Sequence, residues 1–139
     1  MTQAIATLLN ARWIIPVEPE GLVLEHHALA MDGGRILAML PQAEAATRYQ
    51  AETRLTLNRH VLMPGLINAH THASMTLLRG LADDLPLMNW LQDHIWPAEA
   101  RWVDPEFVRD GTQLAVAELL RGGTTCFNDM YFFPEATAT

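Results

Sequence analysis

Residues 60–72 decide the fold of this chain, and they read HVLMPGLINAHTH. The stretch is an almost continuous apolar run that ends in polar side chains. Such a run is typical of a strand that is buried on both faces of a parallel sheet. We therefore predict a buried strand over residues 60–70, with His70 and His72 at its carboxyl end.

The two histidines stand two positions apart. Side chains at i and i+2 of a strand point to the same side, about 6.6 Å apart along it, so both imidazoles are able to converge. A divalent ion held by nitrogen ligands at about 2.0–2.1 Å can bridge that gap. The carboxyl ends of parallel strands are also where such sheets place their active sites. Two unrelated polar residues at a strand end would give the same short pattern. The surrounding sequence has to decide between this interpretation and a metal-binding pair.

A helix with well-marked ends follows. Asp104 is a good N-cap, Pro105 suits the first helical position and Gly122 follows the last turn, so a helix is predicted from about 105 to 121. The apolar side that we expect to face a sheet comprises Phe107, Gly111, Leu114 and Ala115. Residues 124–128 form the next predicted strand. Strand, helix and strand in this order make a βαβ unit with parallel strands.

The region before the decisive stretch has a different pattern. Residues 5–57 contain short, β-branched or alternating runs broken by turn residues, which predicts a small antiparallel sheet of a β-sandwich. The segment Asp32-Gly33-Gly34-Arg35 predicts a tight hairpin. Residues 42–50 suit one short helical turn, and residues 53–57 alternate as a half-buried strand does.

The predicted organisation is thus of the α/β class, with part of a sandwich domain in residues 1–59 and a βαβ portion in residues 60–139. A closed (β/α)₈ barrel needs about 250 residues, so the second region is too short to close one. We expect a fragment of a longer protein, while completion by another chain is the alternative. The apolar excess fits surfaces that further elements normally cover.

Composition excludes several classes of function. The chain has 139 residues, with 16 Asp or Glu against 9 Lys or Arg, and half of it is hydrophobic. This excess of acidic residues argues against binding to a nucleic-acid backbone, whose phosphates require clustered Lys and Arg side chains. No apolar run approaches the roughly 20 residues of a membrane-spanning helix. Cys126 is the single cysteine and no signal peptide opens the chain, so we expect a cytoplasmic protein without nucleic-acid or membrane partners.

The stretch MPGLINAHTH, residues 63–72, closely resembles the first barrel strand of the amidohydrolase superfamily, whose motif is PG(F/L)(I/V)(D/N)xHxH. The resemblance implies an N-terminal β-sandwich segment followed by the first β/α units of a metal-dependent TIM (β/α)₈ barrel, incomplete in this chain. It implies that His70 and His72 bind one divalent ion, zinc, with iron or manganese open. The other ligands and the proton-shuttling glutamate would lie on later strands. No catalytic residue is then expected within this chain, whose own metal affinity and activity should be poor.

Two downstream segments narrow the resemblance. Residues 72–80 (HASMTLLRG) and 90–99 (WLQDHIWPAE) look like the branch that contains 5-methylthioadenosine/S-adenosylhomocysteine deaminases. That likeness implies hydrolytic deamination of an adenine nucleoside as the small-molecule substrate, with Glu99 binding the ribose 2′- and 3′-hydroxyls. Trp90 is a candidate for the adenine or methylthio pocket, although packing in the core is the commoner role of tryptophan.

Two alternatives stay open. Another aminohydrolase or a chlorotriazine-type hydrolase of the same branch would use the same metal chemistry on a different leaving group. A non-catalytic module would instead use its apolar sheet edge to pair with a partner or, as a homo-oligomer, with itself.

Overall fold

The N-terminal part of the chain is a mixed four-stranded sheet with one short helix. The structure is a computed structural model that describes residues 2–138, and it divides into two units between Pro64 and Gly65. The elements of the first unit are β1 (Gln3–Ile14), β2 (Leu24–Asp32), β3 (Arg35–Pro41), α1 (Gln42–Arg48) and β4 (Tyr49–Leu62).

The strand order is β3-β2-β1-β4, and β1 pairs antiparallel with β2 but parallel with β4. The predicted all-antiparallel sheet is therefore wrong at one pair. The reason lies in α1, the predicted helical turn, because it carries the chain across the sheet from β3 to β4 and parallel neighbours need such a crossover. Within residues 2–138 the first unit contains this one sheet, so the expected sandwich is represented by a single layer.

The hairpin between β2 and β3 forms as predicted. Asp32 pairs with Arg35, and Gly33 and Gly34 both have positive φ, 55° and 74°, as a two-residue turn of this type requires. The core of the unit is built from alanine, branched aliphatic and tyrosine side chains of all four strands and α1: Ile5, Leu8, Ala28, Ala30, Leu40, Ala45 and Tyr49. The predicted half-buried strand at residues 53–57 is mostly exposed instead, since β4 lies at the edge of the sheet.

The predicted strand over residues 60–70 is two strands. β4 ends at Leu62 and β5 spans Leu66–Thr71, with Pro64 in the break, where its missing N–H cannot serve a strand ladder. Val61 and Leu62 still pair with β1 in the first unit. The chain consequently divides later than the predicted boundary after residue 59.

The second unit begins with β5 and contains a parallel pair of strands, as predicted, because β5 pairs with β6. Its elements are β5, a 3₁₀ helix (Ala73–Leu78), α2 (Leu87–Trp90), a π-helical turn (Leu91–Ile95), α3 (Trp96–Trp102), α4 (Pro105–Arg121), β6 (Thr124–Asp129) and α5 (Pro134–Thr137). The expected burial of the first strand on both faces is wrong for residues 2–138, because Ile67 is 74% exposed and its neighbour Leu66 is 51% exposed. None of the helices in that range has both the length and the apolar character to cross a membrane.

Helix α4 begins and ends where the sequence predicts. The Asp104 side chain accepts a 2.8 Å hydrogen bond from the Phe107 backbone N–H, which caps the helix. The prediction of its buried side is confirmed at Gly111 and Ala115 but wrong at Leu114, which is 42% exposed, and the other buried residues are Val108 and Thr112. The reason is that α4 packs against the 3₁₀ helix, where a Cβ on Gly111 would lie 2.5 Å from the Ser74 carbonyl oxygen.

Gly65 is a second place where two backbones approach closely, because a Cβ there would overlap the side chain of Thr125 on β6. We expect Gly65→Ala to lower the free energy of unfolding of the second unit by about 1–3 kcal/mol through overpacking. Gly122→Ala is the matched control, since its φ is −81° and its nearest neighbours lie 3.4 Å away. Urea unfolding of the two variants measures the difference, and equal stabilities would contradict this account of Gly65.

Candidate functional site

His70 and His72 meet at the carboxyl end of β5. Their Nε2 atoms lie 3.4 Å apart, with the ring planes at 84° to each other. The backbone N–H of His70 donates a 3.2 Å hydrogen bond to Asn68 Oδ1, which helps to hold the end of the strand. The two rings therefore converge on one side of the chain, as the spacing of two predicts.

The distance between the two Nε2 atoms fits two ligands of a tetrahedrally coordinated metal ion. Two nitrogen ligands at 2.0–2.1 Å from a zinc ion lie about 3.3–3.4 Å apart in tetrahedral geometry. His72 Nδ1 is 2.7 Å from the carbonyl oxygen of Met130. A carbonyl only accepts, so Nδ1 carries the proton and the Nε2 lone pair of His72 is left to face His70.

The histidine pair would supply two ligands to a metal ion. Across residues 2–138, no group of three or more His, Cys, Asp or Glu side chains is arranged to hold a metal ion. The carboxylate of Asp129, at the end of β6, is engaged elsewhere. Its Oδ1 accepts a 2.7 Å hydrogen bond from the Ala73 backbone N–H and its Oδ2 a 3.2 Å hydrogen bond from the Thr137 hydroxyl. Asp129 therefore fixes the segment that directly follows His72.

A cavity of about 710 Å³ opens beside the histidines. Its polar groups are His70, His72, Glu99 and Tyr131. The rest of its lining is apolar or aromatic: Met75, Leu87, Trp90, Leu91, Ile95, Trp96, Met130 and Phe132. A mostly apolar cavity with a few convergent polar groups is the usual form of a small-molecule site.

One wall of this cavity is the helical segment of α2, the π turn and α3. A π turn contains one more residue than an α turn, and such turns occur frequently at functional sites. Pro97 lies just after it and has no N–H to donate to the Asp93 carbonyl. Wound as a regular α-helix, the same residues would place Trp96 and Glu99 rotated by about 100° relative to Trp90. The π turn thus allows all three to line the same cavity.

The sequence-predicted substrate residues Glu99 and Trp90 both line this cavity, beside the predicted metal ligands. The Trp90 ring is held by a 3.1 Å hydrogen bond from its Nε1 to the Leu81 carbonyl. The roles of Glu99 and Trp90 in binding stay predictions.

Tyr131 is a site residue that the sequence reasoning missed. Its hydroxyl donates a 2.7 Å hydrogen bond to Glu99 Oε1, and its ring stands edge-on to His72 with centroids 6.0 Å apart. Burial is the main cause that raises the pKa of the Tyr131 phenol above its usual range, and the hydrogen bond and charge of Glu99 raise it further. Its position two residues after the end of β6, the strand that pairs with β5, was the available signal.

The loop after the 3₁₀ helix is tied to α4 by an ion pair. Both guanidinium nitrogens of Arg79 donate to the carboxylate of Glu118, one of them at 3.0 Å. This pairing raises the pKa of Arg79 and lowers that of Glu118. Both groups are exposed, so the pair aligns the loop more than it stabilises the fold.

Comparisons with known proteins show one matching family and several similar chains. The model of the Amidohydrolase family matches residues 61–138. A 5-methylthioadenosine/S-adenosylhomocysteine deaminase from Saccharophagus degradans is 57% identical over 131 residues, which are 94% of this chain and 29% of that protein. An adenosine deaminase from Xanthomonas campestris, solved with bound zinc, is 54% identical with a TM-score of 0.96 over 99% of this chain and 31% of its own.

An atrazine chlorohydrolase from Arthrobacter aurescens TC1, complexed with zinc, has a TM-score of 0.83 at 21% identity and covers 95% of this chain and 32% of its own. At that identity the likeness concerns the fold alone. The chain spans less than a third of the length of each of these three relatives.

We expect the chain by itself to bind Zn²⁺ weakly, through His70 and His72, because the two histidines are only half of a four-coordinate ligand set. His70→Ala and His72→Ala should each weaken this binding by about 10- to 100-fold or more, because even the loss of a ligand's hydrogen-bonding partner has an effect of that size. Competition with a chromogenic chelator measures the affinity. His60→Ala is the control, since His60 is exposed on β4 in the other unit. Equal affinities of all variants would contradict the assignment.

We expect the Tyr131 phenol to stay protonated above about pH 10, where an ordinary tyrosine ionises. Because its pKa is raised on folding, its contribution to stability is complete below that pH and is lost as the pH rises through the folded-state pKa. Glu99→Gln removes the neighbouring charge and should lower the pKa of Tyr131. The tyrosinate absorbance that Tyr131→Phe removes reports this ionisation, and an ordinary midpoint in the wild type would refute the expectation.

Proposed function

Because this chain belongs to the amidohydrolase family, we propose that it is the N-terminal part of a metal-dependent enzyme that deaminates 5′-methylthioadenosine, S-adenosylhomocysteine and related adenine nucleosides. The observation that carries the proposal is the pair of Nε2 atoms 3.4 Å apart, in a cavity that also holds the Glu99 carboxylate. The names of the similar deaminases from Saccharophagus degradans and Xanthomonas campestris support the same reaction class.

In this proposal the first unit is part of a β-sandwich domain, and β5, α4 and β6 are the first elements of a (β/α)₈ barrel. Two observations support it. The superposition on the Xanthomonas deaminase extends over nearly the whole chain. The sheet of β5 and β6 also leaves apolar side chains such as Ile67 exposed, which suits strands that further barrel elements cover.

The histidine pair suits a resident metal ion. His70 and His72 would hold it through Nε2, and the Met130 carbonyl keeps His72 in the required tautomer. When bound, such an ion supplies Lewis-acid activation of a water molecule at neutral pH. Zinc is our choice because the Xanthomonas deaminase, which is 54% identical, was solved with bound zinc.

The residues of this chain then bind and orient the nucleoside. The Glu99 carboxylate would accept hydrogen bonds from the ribose 2′- and 3′-hydroxyls, since one carboxylate can serve two vicinal donors. Trp90 and the other apolar residues of the wall would contact the base and the thioether and exclude water. A substrate without the sugar would leave the carboxylate unpaired, at a cost of about 1–3 kcal/mol.

This requirement separates the proposed reaction from hydrolysis of a chlorotriazine, which has no vicinal diol to offer to Glu99. The likeness to the atrazine chlorohydrolase carries no argument about substrate, because at 21% identity it reports the fold. The carboxylate in a mostly apolar cavity is the feature that favours a hydroxylated substrate.

The test measures ammonia released by the full-length gene product that contains this chain. We expect turnover of 5′-methylthioadenosine and S-adenosylhomocysteine, and none of guanine or chlorotriazines. Glu99→Gln should lower kcat/KM for the nucleosides by about 5- to 150-fold, the equivalent of 1–3 kcal/mol. Glu106→Gln is the control, since Glu106 is exposed at the start of α4.

Two results would refute the proposal. Release of chloride from a chlorotriazine without deamination of any nucleoside would favour the other hydrolase of the same branch. A folded, metal-loaded protein that turns over none of these compounds would favour a non-catalytic module.

A further inference from the structure

The segment after β6 makes two successive contacts with the candidate site. The carbonyl of Met130 accepts the hydrogen bond from His72 Nδ1, and the hydroxyl of the next residue, Tyr131, donates to Glu99 Oε1. The Met130–Tyr131 peptide unit thus connects the carbonyl that holds His72 with the tyrosine that holds the Glu99 carboxylate. The position of Glu99 relative to the histidine pair is set through this segment.

In the contact between Tyr131 and Glu99, the tyrosine is the donor and the carboxylate is the acceptor. Tyr131 holds a proton that Glu99, as a carboxylate, accepts, and the 2.7 Å distance is that of a charge-assisted hydrogen bond. Within residues 2–138, the Glu99 side chain has one hydrogen-bonding partner, the Tyr131 hydroxyl at Oε1, so Oε2 has none in that range. The arrangement occupies one side of the carboxylate and leaves the other for a ligand in the cavity.

Without this contact, the Glu99 side chain would be free to rotate. A glutamate has three flexible torsions, and holding such a side chain in one rotamer has an entropic cost. A partner that holds the carboxylate before the substrate arrives removes part of this cost from the binding step. The Tyr131 ring also stands edge-on to His72, which restricts the movement of its hydroxyl.

We propose that Tyr131 is a positioning residue that orients Glu99 towards the vicinal hydroxyls of the substrate and thereby sets the preference for ribonucleosides over 2′-deoxynucleosides. The inference rests on the proposed function, in which Glu99 binds those hydroxyls. Tyr131 itself does not touch the reacting atoms.

The experiment compares 5′-methylthioadenosine with its 2′-deoxy analogue in the full-length gene product. We expect Tyr131→Phe to lower kcat/KM for the ribonucleoside by about tenfold, the loss that follows from removing one hydrogen bond to a charged group. The deoxynucleoside should change little, because it makes less use of the carboxylate. The ratio of the two kcat/KM values should therefore fall about tenfold, while the bound metal content stays the same.

Two further variants separate positioning from a general effect on the fold. In a Glu99→Gln background, Tyr131→Phe should cause little further change in the ratio, since the group through which it acts is already altered. Tyr49→Phe is the matched control, because Tyr49 is the other tyrosine and lies in the core of the first unit. It should leave the ratio unchanged.

An equal loss for both nucleosides, or an unchanged ratio, would show that Tyr131 has a structural role and would overturn the inference while the proposed function stands. Additive effects of Tyr131→Phe and Glu99→Gln on the ratio would overturn it as well. A wild-type protein that deaminates no adenine nucleoside would refute the proposed function, and the inference would fail with it.

Discussion

The site depends on the parallel pairing of β5 and β6 and on its continuation past the ends of the strands. The Met130 backbone N–H donates to the Thr71 carbonyl at 2.9 Å, and the Met130 carbonyl accepts from His72 Nδ1 at 2.7 Å. Asp129 accepts from the Ala73 backbone N–H on the other side of His72. These bonds fix the tautomer of His72 and the direction of its ring, so that its Nε2 faces that of His70.

The helical wall imposes a second constraint on the cavity. Its residues Trp90, Trp96 and Glu99 come from one stretch of helix and all line the cavity, and the π turn between them places Trp96 and Glu99 about 100° from where a regular α-helix would put them. A regular α-helix is the more favourable local structure, and π turns are uncommon for that reason. The acid of the site is therefore placed by an irregularity in the backbone, and Tyr131 then restrains its side chain.

Several elements were predictable because their signals are local. Asp104 and Pro105 mark the start of α4, and the two glycines of the β2–β3 hairpin supply the positive φ values that its turn needs. The wrong predictions concern strand pairing and side-chain burial, which depend on residues that lie far apart in the chain. The parallel β1–β4 pair depends on a crossover, and the buried side of α4 depends on packing against the 3₁₀ helix. No local sequence pattern indicated either contact.

For the candidate site, the sequence by itself determined the histidine pair, because a spacing of two on a strand places both rings on one side. The resemblance of residues 90–99 added Trp90 and Glu99 as candidates. Only the tertiary structure decided that these groups share one cavity and that Tyr131 and the Met130 carbonyl hold them. Those contacts join residues that lie 32 and 58 positions apart in the chain. Their meeting depends on strand register and on the extra residue of the π turn, and neither of these is encoded by a periodicity in the sequence.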